Sequence, residues 1–331
     1  MNGLSDTLPD QPANTFPDPS PDREERLQAA LRELERRFGP WVVYRLKDAR
    51  PPLGDSAIST GSLSLDLATG IGGFPRGRIA ELIGPPSSGK STLAFHFLAN
   101  AQRQSGFATL VDTTHQASFE QMGRCGVNLT DLFLVVPESA HEALEVAALL
   151  VESGGLDALA IGPLAGLIGG SPRVAQATAK QVARLNAGMH ASPTAVLFLT
   201  DERITPASLP VSRPLRHFAS LRVHLTPLRV LLHPSGDIRG LRVQIETIKN
   251  KLAPAGRPVE VDLLRERGVH REAELIDLGL ARAILEERSL GICFGLRLLG
   301  RGRARAIAAL EQDPSLAREL SGGLRVGGWG S

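Results

Sequence analysis

"GPPSSGKST", residues 84–92, follows the apolar run "RIAELI" (78–83) and opens the run "STLAFHFLANAQRQSG" (91–106). Gly84 to Ser91 fits G-x-x-x-x-G-K-[ST], a glycine-rich loop set between a strand and a helix. Glycines let such a loop curl until its N–H groups face phosphate oxygens, at the positive end of the following helix. On this reading Gly84, Ser87, Ser88, Gly89, Lys90, Ser91 and Thr92 bind a nucleotide. Lys90 reaches the β- and γ-phosphates and the Ser91 hydroxyl ligates magnesium, so ATP and Mg2+ are the cofactors to expect.

Outward from the loop, short apolar runs alternate with helical stretches. "ATLVD", "LFLVVP", "ALAI" (158–161) and "AVLFLT" read as strands, with helices "HEALEVAALLVESG" and "RVAQATAKQVARLNAG" between them. That rhythm predicts an α/β fold, a mostly parallel sheet flanked by helices. Later runs, "ASLRVHL" (219–225), "LRVLLH" (228–233), "LRVQIETIK" (241–249) and "PVEVDLL" (258–264), read as separate antiparallel strands extending the sheet. "AELIDLGLARAILEE" (273–287) and "RARAIAALEQDPSLARELSG" (303–322) read as helices of a small C-terminal lobe.

The domain reading is therefore a Pro/Asp-rich disordered tail at 1–22, an N-terminal helix and strand at 23–55, the nucleotide-binding core at 56–269, the C-terminal lobe at 270–325 and a tail at 326–331. Leu27, Leu31, Leu34 and Phe38 recur at helical spacing in the N-terminal segment. So narrow a stripe suits docking on a partner surface, and packing on the chain's own core fits the pattern equally.

A chain of 331 residues with 42% hydrophobic and 22% charged residues has the balance of an ordinary globular protein. Its net charge of +2 means that affinity for nucleic acid must come from local patches. Cys125 and Cys293 form no metal or disulfide pattern, which fits a cytoplasmic protein. No apolar run is long enough for a membrane span, and the first residues lack the features of a secretory signal.

Residues 58–93, "ISTGSLSLDLATGIGGFPRGRIAELIGPPSSGKSTL", resemble the bacterial RecA recombinase family almost position by position. The resemblance continues through "RVQIETIKNKLAP", "ELIDLGL" and "DPSLAREL". It implies a RecA-like core, an N-terminal docking helix and a small C-terminal α/β lobe. It also implies DNA-dependent ATP hydrolysis and a nucleoid-associated cytoplasmic protein that binds like subunits.

The chain departs from that pattern where the family does its chemistry. The position of the glutamate that activates water holds Thr114, and that of the magnesium-steadying aspartate holds Gly162; Gln121 falls where the family has its adenine-stacking tyrosine. Loss of a general base lowers a rate by roughly 10²–10⁴, so weak or absent ATPase and weakened ATP and Mg2+ binding are expected. Asp201, matching the family's γ-phosphate-sensing glutamine, is the candidate substitute acid. Lys249 and Lys251 match lysines that reach the neighbouring subunit's ATP. Arg203, Arg213 and Arg216, in a proline-stiffened segment, and Arg301, Arg303 and Arg305, in the lobe, are the candidate contacts to single- or double-stranded DNA. His217 replaces a subunit-joining phenylalanine.

Such selective erosion resembles the ImuA type of RecA-like protein, found beside error-prone polymerases in damage-induced mutagenesis. The expectation is an accessory factor in DNA repair and the SOS response that binds RecA, DNA or a translesion polymerase. The alternative is a working ATP-dependent, single-stranded-DNA-binding recombinase with relocated acids. A small-molecule phosphotransferase would need its own acid or arginine cluster, and the sequence shows none.

Overall fold

The computed structural model describes residues 21–38, 57–163, 172–189, 192–202, 212–254 and 256–326. The chain divides into two compact units, Met1–Ala49 and Arg50–Ser331. The described part of the first is α1 (Pro21–Phe38). Acids in its first turn and Arg36 and Arg37 in its last complement the helix dipole. Leu27 is 54% exposed, Leu31 and Leu34 are half-buried, and the Phe38 side chain lies outside the described residues.

In the second unit β1 (Ala57–Ile58) and β2 (Phe74–Pro75) pair around α2 (Leu63–Ala68). The core then runs β3 (Ile79–Gly84), α3 (Lys90–Arg103), β4 (Ala108–Val111), α4 (Phe119–Arg124), β5 (Leu132–Val135), α5 (Ala140–Glu152), β6 (Ala158–Ile161), α6 (Pro172–Gly188), β7 (Ala195–Asp201), α7 (Ser212–Phe218), β8 (Leu221–Leu232), β9 (Ile238–Asn250), β10 (Val259–Leu264) and β11 (Gly268–Val269). These strands form one sheet in the order β11-β10-β9-β8-β3-β7-β6-β4-β5. From β8 through β5 every pairing is parallel, and β9, β10 and β11 extend the sheet antiparallel.

The apolar strands β3, β4, β6 and β7 are buried on both faces because helices cover both. Along β7, Leu197 and Leu199 join the cluster that holds Leu93, Phe97 and Leu98 of α3. Val196 and Phe198 point the other way, into a cluster with Leu144 and Val151 of α5 and Val182 and Leu185 of α6. A mostly parallel sheet flanked by helices is the architecture that the sequence pattern predicts.

Two expectations need correction. The runs at 219–225 and 228–233 fall on a single strand, β8, which spans Leu221–Leu232, not on two. Pro227 sits at a bulge, beyond the stretch where β8 pairs with β3, so its missing N–H does not break the central ladder. The helix expected over 273–287 ends at Ala281 as α8 (Arg271–Ala281). Leu285 then begins β12 (Leu285–Arg288), which pairs with β13 (Gly291–Phe294), and β14 (Arg297–Gly300) completes a three-stranded sheet. Pairing across that hairpin overrides the helical spacing of Ile284 and Leu285. The lobe closes with α9 (Arg303–Gln312) and α10 (Pro314–Val326). No described helix is long and apolar enough to cross a membrane.

Glu274 of α8 ties the lobe to the core. It accepts the Ser62 hydroxyl hydrogen and the amide hydrogens of Leu63 and Ser64, each at 3.3 Å, at the start of α2. Complete burial pushes its carboxyl up to about 7, outweighing the lowering by Ser62 and Ser64, and Asp66 adds to the rise. The folded protein thus holds this proton more tightly than the unfolded chain. The group's stabilisation is full below about pH 4.5 and is lost as pH rises through about 7. Against Glu274→Gln, wild-type stability in urea is expected to decline by about 3 kcal/mol between pH 4.5 and 8. A constant difference between the two proteins across that range would refute this linkage.

Candidate nucleotide-binding site

The loop between β3 and α3 lies at the C-terminal edge of the sheet, beside the end of β7. Gly84 pairs with Asp201 across the parallel ladder, and the Glu202 amide donates to the Gly84 carbonyl at 3.0 Å. Gly89 adopts φ 96° at the helix start, and a Cβ there would come within 2.1 Å of Leu263 Cδ1. The positive φ favours glycine, and a larger residue would also displace the Leu263 methyl. No side chain caps the N-terminus of α3, so its first amides stay open toward a cavity of about 810 Å³. Ser87 is exposed and Ser88 buried in the loop, Ser91 is half-buried, and the Thr92 hydroxyl accepts a hydrogen bond from Gln121 Nε2 at 3.1 Å. Ser87, Ser88, Gly89, Lys90, Ser91 and Thr92 all line the cavity.

Lys90 does not project free into that cavity. Its ammonium donates to the carbonyls of Gly84 at 2.9 Å and Pro85 at 2.8 Å, and pairs with Asp201 Oδ1 at 2.8 Å. The side chains of Lys90 and Asp201 are only 6% and 15% exposed. Glu202 turns elsewhere, its Oε1 lying 3.2 Å from His224 Nε2.

Thr114 lines the same cavity, and Gly162 lies in an adjoining pocket with Ser91, Asp112 and Thr114. The Thr114 amide and hydroxyl both donate to Asp112 Oδ1, at 3.0 and 3.1 Å, and the Ala117 amide donates to Asp112 Oδ2 at 2.8 Å. Buried Asp112 is thereby committed to holding the turn after β4. Gly162 is buried at the end of β6 with φ 136°, a conformation that disfavours an aspartate.

The uncapped amides at the start of α3 fit a phosphoryl group. A magnesium ion steadied by carboxylates is not fitted: Asp201 is the sole carboxylate lining the 810 Å³ cavity among the described residues, and it is engaged by Lys90. Ser91 is left as the residue to hold such a metal. Farther out, Val230, Ile238, Leu241 and Leu263 form an apolar wall, which the sequence reading did not identify. These residues come from three strands that only the antiparallel extension brings over the loop.

Lys249 and Lys251 are engaged within the chain. Lys249 Nζ donates to the Arg216 carbonyl at 2.6 Å and the His217 carbonyl at 3.2 Å, and Lys251 Nζ donates to His217 at 3.1 Å. They satisfy the carbonyl end of α7, and neither lines the cavity. Burial, then the neighbouring Lys251 and Arg222, hold the Lys249 ammonium below the ordinary lysine range. His217 is exposed, its ring 5.1 Å from that of Phe218.

The expected basic residues divide. Arg216, Arg301 and Arg305 are exposed; Arg203 lies outside the described residues, as does the Arg213 side chain. Arg303 departs from the expected patch. Its Nε and Nη2 bind Asp277 at 2.6 and 2.8 Å, and Nη2 reaches Asp262 at 2.7 Å. Arg242 bonds the same two acids, each at 3.0 Å. The hydrogen bonds that Arg303 donates to Asp277 and Asp262 hold its guanidinium above its ordinary range. The cluster joins β9 and β10 to α8 and α9. No spacing in the sequence announces this pairing, since its members are brought together by the fold.

A phosphate-binding loop at the carboxyl edge of a parallel sheet defines a protein of the phosphate-loop α/β class. Comparison with known families narrows this. The profile of the RecA N-terminal domain matches residues 25–270. Protein RecA of Herpetosiphon aurantiacus is 33% identical over 328 residues, spanning 93% of this chain and 90% of its own length. Protein RecA of Chloroflexus aurantiacus is 33% identical over 322 residues (91% of each chain), and that of Frankia casuarinae 35% over 321 residues (90% and 91%). The chain belongs to the RecA family.

Arg303→Ala is expected to lower unfolding free energy by about 2 kcal/mol, below the value for a fully buried pair because part of the side chain faces water. Arg301→Ala and Arg305→Ala should stay within about 0.5 kcal/mol of wild type. Denaturant titration measures all three. Equal stability of the three variants would show that the Arg303 pairs contribute nothing.

Proposed function

We propose that this RecA-family protein keeps its phosphate loop as a nucleotide-binding element and has lost the ATP cycle. It acts as an accessory factor in DNA repair, in the manner of the ImuA type, through contacts with RecA, DNA or an error-prone polymerase. The observation that carries this reading is the state of the carboxylates around the loop. Thr114 and Gly162 stand at the two acid positions, and Asp201 is bound to the loop lysine at 2.8 Å. A general base must reach a water on the reacting phosphate, and none of the described acids around the loop is free to do so. Magnesium would have to rely on Ser91, which leaves the charge of a triphosphate poorly offset.

Two surfaces support the accessory role. The apolar stripe of α1 includes half-exposed Leu27, suited to a partner groove on RecA, a like subunit or a polymerase. Exposed Arg216, Arg301 and Arg305 are suited to DNA phosphates, single- or double-stranded. Arg303 is omitted from this set because Asp262 and Asp277 neutralise it.

A second reading takes Asp201 as the relocated acid of a working, DNA-dependent recombinase. Its support is that Asp201 is the cavity's sole described carboxylate. The two readings separate in a DNA-stimulated ATPase assay. The first expects wild-type turnover indistinguishable from that of Lys90→Ala. Turnover at the rate of a working recombinase, abolished by Asp201→Asn and untouched by Thr114→Ala, would overturn it in favour of the second.

Pull-downs from DNA-damaged cells, with the full chain and with a chain lacking residues 21–38, test the docking helix. RecA or a translesion polymerase should be recovered only with the full chain. Equal recovery without the helix would remove α1 from the proposal.

A further inference from the structure

We infer that Asp201 acts as a built-in anion in the place of a terminal phosphate, so that the site selects a nucleoside diphosphate over the corresponding triphosphate. The inference rests on the reading above, that the loop binds nucleotide without hydrolysing it. It adds which nucleotide is bound and which residue decides.

An ammonium group has three N–H bonds to donate. Lys90 donates to the Gly84 carbonyl at 2.9 Å, the Pro85 carbonyl at 2.8 Å and, at 3.5 Å, Ser88 Oγ, and its charge is paired with Asp201 Oδ1 at 2.8 Å. In a loop of this sequence the lysine ordinarily contacts the β- and γ-phosphates. Here a carboxylate already holds one of those contacts, in a pair almost shielded from water. The amides of the loop and of the first turn of α3 carry no side-chain cap. A diphosphate can therefore occupy the amides while Asp201 stays on Lys90. A triphosphate has to drive its terminal group against the carboxylate, and like charges at contact in a poorly solvated site repel strongly.

Asp201 has little freedom to withdraw. It closes the β7 ladder opposite Gly84. The preceding Thr200 donates its hydroxyl hydrogen to buried Glu81 at 2.8 Å. The following Glu202 amide is bonded to Gly84 at 3.0 Å. Cations that would offset a third phosphate are few: Arg265 is the one other cation lining the cavity among the described residues, and Lys249 and Lys251 are bonded to α7. The apolar wall of Val230, Ile238, Leu241 and Leu263 suits a nucleoside better than bare pyrophosphate.

The test is an equilibrium titration of the full-length protein with fluorescently labelled ADP. Bound label is competed off by ADP or by the β,γ-imido analogue of ATP, with and without Mg2+. Wild-type protein should prefer ADP tenfold or more. Asp201→Asn, and the smaller Asp201→Ser as a second neutral variant, should raise affinity for the triphosphate analogue tenfold or more and cancel the preference. Three results would overturn the inference: the analogue binding wild type as tightly as ADP, neither nucleotide binding, or both folded variants keeping the wild-type preference. Turnover of genuine ATP would instead sink the underlying reading, and the imido analogue would still report selectivity.

Discussion

The parallel register at the carboxyl edge of the central sheet brings the loop, Thr114, Gly162 and Asp201 together. Six parallel strands end near one line, and the loop, Thr114, Gly162 and Asp201 all follow from residues at or just past those ends. Gly84 faces Asp201 across one ladder, and Val111 faces Ile161 across another, which sets Asp112 and Gly162 side by side. A shift of one residue in either pairing would turn a different side chain toward the loop. The chemistry open to this protein therefore depends on which residue type stands at four or five strand ends.

At those ends, carboxylates perform holding tasks. Asp112 gathers the Thr114 amide and hydroxyl and the Ala117 amide. Glu81 lies beneath the loop, buried, and binds Thr200 and Arg222. Asp201 neutralises Lys90. An acid fully occupied by fixed donors is a poor proton acceptor and a poor metal ligand. Glu274 at the base of α2 and the Asp262–Asp277 pair between core and lobe extend the same pattern. Each is a buried charge or acid whose partners come from distant segments, so these groups hold the lobe against the nucleotide-binding core.

Much of this was legible before any coordinates. The loop motif and the alternation of strand and helix are local or ordered facts of the chain. The misreadings have local causes too. The runs on either side of Pro227 read as separate strands, yet the strand continues through it because β8 has already left β3 there. Residues 284–287 continued a helical period and were recruited instead by a hairpin partner. Arg303 stood in a run of arginines like its neighbours, and nothing in that run distinguished the one that meets two aspartates 26 and 41 residues away.

The sequence by itself determined the class of fold and the presence of the loop, because hydrophobic period, glycine placement and the G-K-S ending act over a few residues. It also determined the residue types at or just past the strand ends, Thr114, Gly162 and Asp201 among them. Only the tertiary structure decided what those residues touch. The closure of Asp201 onto Lys90, the capping of α7 by Lys249 and Lys251 and the pairing of Arg303 with Asp262 and Asp277 each join residues far apart in the chain. Such contacts are set by strand register and packing, and a linear reading has access to neither.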